Sequence, residues 1–444
     1  MSASLIQITL SLVVGIALIV VLTTRFRIHA FFALMLACFL VGICVQMPFP
    51  DIIKSAKEGF GNIMQSLGWI IVLGTTLGVI LEHTGCTIVM AESMLKLVGE
   101  KYAAFAMSMT GFVVGLPIFC DSGYIVLSGL NDSLARRTKT PMVIMAASLA
   151  TGLYSVHCLI PPHPGAAAAA GIIGVDFGRL ITYGIIVAIP CMLTGYIWTK
   201  FSSRKLKFEE SEKTETVLAS RVLPKVSKAF VPVIVPILLI AIRSFFSVEK
   251  INGSGLVNFF SILGEPVIAL SIGIVLAIIS NRKWENKQFA KLLQDAAEKA
   301  GGILVIIGAG GSFGGVLAAT HLGDHFSNLN VGGYSALLLF PFLLTALLKT
   351  AQGSSTVAII TASSILAPLL PTLGIVSDNQ KLLCVLAMGA GSMVISHAND
   401  AYFWVITKFS RIEMRPMLRV YTLATIWMGI VGLITVYILS LLLK

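Results

Sequence analysis

Two short segments place polar side chains in the middle of apolar stretches. The first, His157 to Pro164, contains three prolines and two histidines within eight positions, and the second, Ser396 to Asp400, supplies hydroxyl, imidazole, amide and carboxylate groups. Irregular backbone at membrane depth is tolerated where it lines a cavity, and ionisable groups there usually face a pathway. Both segments are therefore predicted to break membrane-spanning helices next to a ligand, although a proline kink would explain the first and a surface loop the second.

Two further segments have small and polar residues at the centre of an apolar run, namely Gly115 to Gly129 and Leu347 to Ser364. Each is predicted to be a re-entrant hairpin, with tips at Cys120 to Gly123 and Thr350 to Ser355. Small residues let the backbone approach a ligand closely, and hydroxyl and amide groups provide neutral hydrogen-bond donors and acceptors. The tips and the breaks are therefore expected to meet around one substrate.

Lone charges in these apolar runs are functional candidates by default. Lys349 can pair with a substrate carboxylate, with Asp121 or with Asp400, or it can extend to the membrane surface. Asp121 and Asp400 can each carry a proton. Histidine is the side chain that ordinarily titrates near neutrality, which makes three histidines candidate proton relays: His157, His163 and His397.

Composition indicates an integral membrane protein, since 56% of the 444 residues are apolar and 12% are charged. The net charge of +11 does not indicate nucleic-acid binding, because the basic residues flank hydrophobic spans. Seven scattered cysteines form no CxxC pair, so no disulfide or zinc framework is expected. No cofactor motif is found either, since the glycine-rich run Gly308 to Ala319 lacks the Gly-Lys-Ser/Thr ending of a nucleotide-binding loop.

The order of elements repeats along the chain, and Gly68 to Gly85 resembles Gly302 to Gly323 in its glycine spacing. The predicted fold is an all-α polytopic membrane protein. Its two halves, 1–200 and 228–444, are joined by a charged linker, 201–227. Each half contains about five transmembrane helices, one of them broken at its centre, and one re-entrant hairpin.

An odd number of crossings inverts the second half relative to the first, as in inverted-repeat transporters. In this arrangement most of the 32 Lys and Arg residues lie on the side of the linker. The positive-inside rule then predicts a cytoplasmic linker and periplasmic termini, with ten crossings in all.

Five motifs in this order resemble the gluconate permease (GntP) family of proton symporters: GLPIFCDSGY, PPHPGA, GAGGSFGGVL, KTAQGSSTVA and SHANDAYFWV. The resemblance implies uptake of a sugar acid such as gluconate across the bacterial inner membrane. Relatives handle idonate, fructuronate or D-serine. The chain is also similar to the wider ion-transporter superfamily, which implies a homodimer whose hairpin-bearing domains move against a fixed scaffold. Sodium-coupled members of that superfamily carry Ser-Asn-Thr at both tips, and the CDSG and QGSS found here favour protons.

The sequence therefore predicts a secondary transporter and no enzyme. It would work by alternating access on a hydroxylated monocarboxylate, with Asp121 or Asp400 coupling transport to protons. A D-serine or other small-carboxylate permease and a channel are alternatives. An intramembrane hydrolase with Ser122 or an aspartate as catalyst is disfavoured, because the chain lacks HExxH and Gly-x-Gly-Asp motifs. The predicted substrate-binding residues are Asp121, Ser122, Gly123, His163, Gly165, Lys349, Gln352, Ser354, Ser355, His397 and Asn399.

Overall fold

The structure is a computed structural model that describes residues 5–202, 223–248, 255–280, 284, 286–320, 334–371, 373–398 and 400–443. The described part contains helices and no strand, which confirms the all-α prediction. Before the linker the helices are α1 (Leu5–Thr24), α2 (Ala30–Cys44), α3 (Phe49–His83), α4 (Cys86–Val98), α5 (Ala103–Gly115), α6 (Cys120–Arg137), α7 (Met142–Leu159), α8 (Pro164–Ile173) and α9 (Phe177–Ser202). After the linker they are α10 (Val226–Val248), α11 (Gly255–Leu263), α12 (Pro266–Ser280), α13 (Asn286–Ala319), α14 (Tyr334–Gln352), α15 (Ser355–Leu366), α16 (Asp378–Gly391), α17 (Ala401–Ser410), α18 (Met414–Met417) and α19 (Leu423–Leu442), with a π-helical turn (Leu418–Thr422) before the last.

The two longest helices, α3 and α13, pack against each other. Each joins an amphipathic stretch to the glycine-rich run that follows it, because no proline or cap interrupts the chain between them. The contact depends on glycine. A Cβ atom on Gly59 would lie 2.2 Å from the carbonyl oxygen of Gly311, and one on Gly311 would lie 2.5 Å from that of Gly59. The two backbones therefore touch directly, as in closely packed membrane helices.

Helix pairs joined by short turns occupy both predicted hairpins: the first turn precedes the predicted tip, the second lies within it, and their re-entrant course stays a prediction. In the first hairpin, α5 and α6 are joined by residues 116–119, so Cys120 to Gly123 form the first turn of α6. Pro117 accounts for the shift, because a proline has no N–H group to donate to the carbonyl oxygen one turn earlier, and α5 ends at Gly115. In the second hairpin, α14 and α15 are joined at Gly353, whose φ of +78° favours glycine.

Both predicted breaks are also present. The first broken helix consists of α7 and α8, and the second consists of α16 and α17. Pro164 begins α8, where a proline needs no hydrogen-bond partner for its nitrogen. The two parts of the chain interlock, since α6 packs on α17 and α15 packs on α8. Each hairpin thus contacts the broken helix from the other side of the linker.

Six helical stretches in the described ranges are long and apolar enough to cross a membrane, and α11 with α12, bent by 68°, makes up to seven. The sequence predicts ten crossings. The difference comes from shorter apolar helices such as α2, and from the second broken helix, whose pieces have 14 and 10 residues. A multi-pass membrane protein is confirmed, while the ten crossings and the inversion of the second half stay predictions.

Candidate functional site

Four helices begin close together where the hairpins and the broken helices meet: α6, α8, α15 and α17. Helices α6 and α17 pack against each other, and contacts between first residues join α6 to α8 and α8 to α15. The ring of Phe119, which precedes α6, lies 6.1 Å from the ring of His163, which precedes α8. A Cβ atom on Gly165 in α8 would lie 3.3 Å from the Cα atom of Thr356 in α15. Helix N-termini carry free N–H groups and a partial positive charge, so their meeting point suits an anion.

Asp400 caps the N-terminus of α17 and lies at the centre of a buried hydrogen-bond cluster. Lys349 donates to its Oδ2 atom at 2.9 Å, the Ser396 hydroxyl donates to the same oxygen, and the backbone N–H of Tyr402 donates to Oδ1 at 3.0 Å. Lys349 is 0% exposed and Asp400 is 6% exposed. Burial of either charge is unfavourable unless it is paired, and the ion pair meets that requirement. Of the three partners predicted for Lys349 within the site, the one with which it pairs in the structure is Asp400.

Asp121 lies half-buried in the first turn of α6. The Cys120 thiol lies 3.9 Å from its Oδ1 atom, and the carboxylate is close enough to Asp400 for their charges to repel. Among the ion pairs of the described residues, none includes Asp121. The site therefore contains one neutralised pair of charges and one carboxylate without a counter-ion.

Two histidines of the first broken helix connect the two hairpins. The Nε2–H group of His163 donates to the carbonyl oxygen of Gly115 at 2.6 Å, and Nε2 of His157 lies 3.4 Å from the Thr356 hydroxyl. Their ring centroids are 4.9 Å apart. Both Nδ1 atoms are buried without a partner in the described part of the chain, so each can accept or donate a further hydrogen bond.

The tip of the second hairpin presents further free polar groups. The amide nitrogen and oxygen of Gln352 are both buried, and neither has a hydrogen-bond partner among the described residues. Ser354 caps α15 by accepting a hydrogen bond from the Val357 N–H group at 3.3 Å, and Ser355 is 6% exposed. Buried polar groups normally find partners, so the unpaired Gln352 amide is a candidate ligand for a substrate hydroxyl.

The remaining predicted residues differ in their surroundings. Ser122 lines a cavity beside α3. Gly123 is buried against α7, where a Cβ atom would lie 2.8 Å from a methyl group of Leu153, so close helix packing accounts for this glycine. His397 is half-buried, and its carbonyl oxygen accepts the Asp400 N–H at 2.8 Å. Asn399 lies outside the described residues.

Four buried tyrosines form a cluster, one of them next to Asp400, that the sequence analysis does not predict. The ring centroid of Tyr402 lies 5.8 Å from that of Tyr154, 6.1 Å from that of Tyr124 and 6.2 Å from that of Tyr421. Tyr402 donates to the carbonyl oxygen of Ala150, which ties α17 to α7. One signal was available, because Tyr124 and Tyr402 each follow a predicted tip or break by a few residues.

Comparison with known proteins agrees with the motifs. Residues 7–442 match the GntP family permease profile. A gluconate permease of Pseudomonas aeruginosa is 32% identical over 433 residues, covering 96% of each chain, and the D-serine transporter DsdX of Escherichia coli O6:H1 is 29% identical, covering 97% of each. The crystal structure of the YdaH transporter of Alcanivorax borkumensis has the same fold, with a TM-score of 0.63 at 16% identity over 88% of this chain and 89% of that one. The chain therefore belongs to the GntP permease family and is a membrane transporter.

Proposed function

We propose that the protein imports a sugar acid, gluconate or a close relative, by proton symport and alternating access. The observation that carries this proposal is the charge balance of the site. Lys349 and Asp400 neutralise each other, four helix N-termini add positive potential, and Asp121 has no counter-ion among the described residues. A monocarboxylate entering beside an ionised Asp121 is repelled, whereas one entering beside a protonated Asp121 is not.

The size of that repulsion supports proton coupling. Two negative charges about 6 Å apart at an effective dielectric of about 20 repel by about 3 kcal/mol, which weakens binding by roughly a hundredfold. Protonation of Asp121 removes this penalty. Substrate and proton then load together, and loss of the proton on the inside favours release of the anion.

The neutral groups of the site favour a hydroxylated substrate. Gln352, Ser355 and the two histidines offer donors and acceptors that match sugar hydroxyls. D-serine is the second candidate, because its ammonium group would need a free carboxylate and Asp121 is unpaired. The similarity to both gluconate and D-serine transporters leaves these two substrate classes to be separated by experiment.

The proposed setting is the bacterial inner membrane, with the linker in the cytoplasm, both termini in the periplasm and two copies forming a homodimer. The excess of Lys and Arg on the side of the linker supports this orientation. The tightly packed pair α3 and α13 would belong to the fixed scaffold, and the hairpins with the broken helices would form the moving part.

Uptake of labelled gluconate by the purified protein in liposomes tests the proposal. With an imposed inward proton gradient we expect accumulation that a protonophore abolishes and excess D-serine leaves unchanged. Asp121→Asn should lose the dependence on the gradient. Asp132→Asn, which removes an ion-paired carboxylate from the same helix, is the matched control.

Three results would contradict parts of the proposal. Transport of D-serine without gluconate uptake would change the substrate. Accumulation driven by a sodium gradient alone would exclude coupling to protons. Equilibration of gluconate without accumulation would favour a channel.

A further inference from the structure

The cavity lined by Ser122 adjoins the site on one side. It is narrow, with a volume of about 10 Å³, and lies between α3, α13 and the turn of the first hairpin. Ser122 lines it together with Thr75, Glu82 and Lys299. Ligand pockets usually have volumes of roughly 300–1,000 Å³, so this space fits a narrow passage better than a second complete binding site.

Small residues of α3 form one wall of the cavity. They contact the turn of the first hairpin and the break of the first broken helix. A Cβ atom on Gly78 would lie 2.8 Å from the carbonyl oxygen of Pro117, in the turn of the first hairpin. One on Gly74 would lie 2.9 Å from Cβ of Pro162, in the first broken helix. The long helix α3 therefore contacts the turn of the first hairpin and the break of the first broken helix directly, and larger residues at these positions would close the space.

An unpaired hydroxyl group lies between these glycines. Thr75 is 3% exposed, and its Oγ1 atom has no partner in the part of the chain that the structure describes. A helical threonine can bond to the carbonyl oxygen four residues earlier, as its neighbour Thr76 does with Val72 at 2.8 Å. Because Thr75 lacks this bond, its hydroxyl remains available to water or to a passing ligand.

The cavity also carries two opposite charges. Lys299 is exposed and Glu82 is half-buried. They interact electrostatically, and no direct ion pair joins them among the described residues. An unpaired ammonium group at the entrance of a narrow space raises the local concentration of anions.

We infer that this cavity is the passage between the substrate site and the membrane face that carries Glu82 and Lys299, and that Lys299 selects anions for it. The inference rests on the proposed function, since it assumes an anionic substrate. Thr75 and Ser122 hydrogen-bond the substrate on its way, and Glu82 weakens the field of Lys299 so that the anion is not trapped. The distribution of Lys and Arg predicts that this face is cytoplasmic, which makes the passage the release route.

Cysteine labelling tests the passage without any substrate. Ser122→Cys is introduced after the seven native cysteines are replaced, and its reaction rates with negatively and positively charged methanethiosulfonate reagents are compared. We expect labelling from the face of Lys299, with the negative reagent favoured. Lys299→Gln should lower the ratio of the two rates by about two- to fivefold, and Glu82→Gln should raise it.

Lys291→Gln is the matched control, because Lys291 is exposed on the same helix outside the cavity. It should leave the ratio unchanged. Thr75→Cys provides a second reporter if Ser122→Cys fails to fold. The inference would be overturned by any of three results: no labelling at either position, labelling only from the opposite face, or a ratio of the two rates that Lys299→Gln leaves unchanged. None of these outcomes depends on whether gluconate is the substrate.

The Thr75 hydroxyl has its own test. Thr75→Val keeps the shape of the side chain and should slow gluconate uptake at least threefold without lowering the melting temperature. Thr76→Val removes an internally bonded hydroxyl from the next position and should leave uptake unchanged. Equal uptake by both variants would exclude a role for Thr75 in the passage.

Discussion

Removal of one partner of the Lys349–Asp400 pair should destabilise the protein far more than removal of both. Lys349→Met keeps the length of the side chain but leaves the Asp400 carboxylate, 6% exposed, with Ser396 and the Tyr402 N–H as its remaining partners. Asp400→Asn leaves the fully buried ammonium group without a counter-ion. Breaking a buried pair in this way typically costs about 3–5 kcal/mol, whereas neutral replacement of both partners is often tolerated.

The expected change in melting temperature follows from the size of the chain. An unfolding entropy of about 2.1 cal/mol/K per residue over 444 residues gives about 0.9 kcal/mol/K. A loss of about 3–5 kcal/mol then lowers the melting temperature by about 3–5 °C. Helices that persist in detergent reduce this entropy, so the shift should be at least that large.

Thermal unfolding of the purified variants in detergent measures the effect. Each single variant should melt at least about 3 °C below the wild type, and Lys349→Met/Asp400→Asn should recover more than half of that loss. Lys408→Met, which removes an exposed charge from α17, is the control and should melt within about 1 °C of the wild type. If the double variant loses the sum of the two single losses, the pair does not act as a unit and the reasoning is refuted.

Three other substitutions have defined expected results. Asp121→Asn should make the rate of gluconate uptake independent of external pH, and an unchanged pH profile would assign the proton to another group. Gly152→Val should lower the melting temperature strongly, since a Cβ atom there would lie 2.1 Å from the Ser108 carbonyl oxygen, whereas Gly302→Ala, with open space around it, should not; equal melting temperatures would contradict the packing of α5 on α7. His163→Phe should reduce uptake by at least tenfold because it removes the bond to the first hairpin, and wild-type uptake would show that this bond is dispensable.

The parts of the fold that the sequence predicts well are those with a local cause. Prolines and clustered polar residues interrupt apolar runs, so both broken helices and both hairpins were predictable. The continuity of α3 was not, because its composition changes from amphipathic to glycine-rich although no residue there ends a helix. The turn of the first hairpin was predicted a few residues too late, because small and polar residues such as Cys120 to Gly123 are common both in turns and in the first turn of a helix.

The sequence predicts a set of site residues, several of which lie close together in the structure, but it does not predict how their side chains pair. The sequence offers Lys349 several partners. Its pairing with Asp400, 51 positions further along the chain, depends on how α14 and the start of α17 are placed in the fold. Gly123 illustrates a second limit, because close helix packing and close approach to a ligand both select glycine. The tyrosine cluster was not predicted, because a tyrosine in an apolar helix can face either the lipid or the protein interior. Its sequence context is the same in both cases.

Proton movement during transport tests the central claim most directly. Liposomes that contain the purified protein and a trapped pH indicator are supplied with gluconate in the absence of a sodium gradient. We expect the interior to acidify as gluconate enters, and we expect no such change with Asp121→Asn. Entry of gluconate into the wild-type liposomes without a change in internal pH would contradict proton symport.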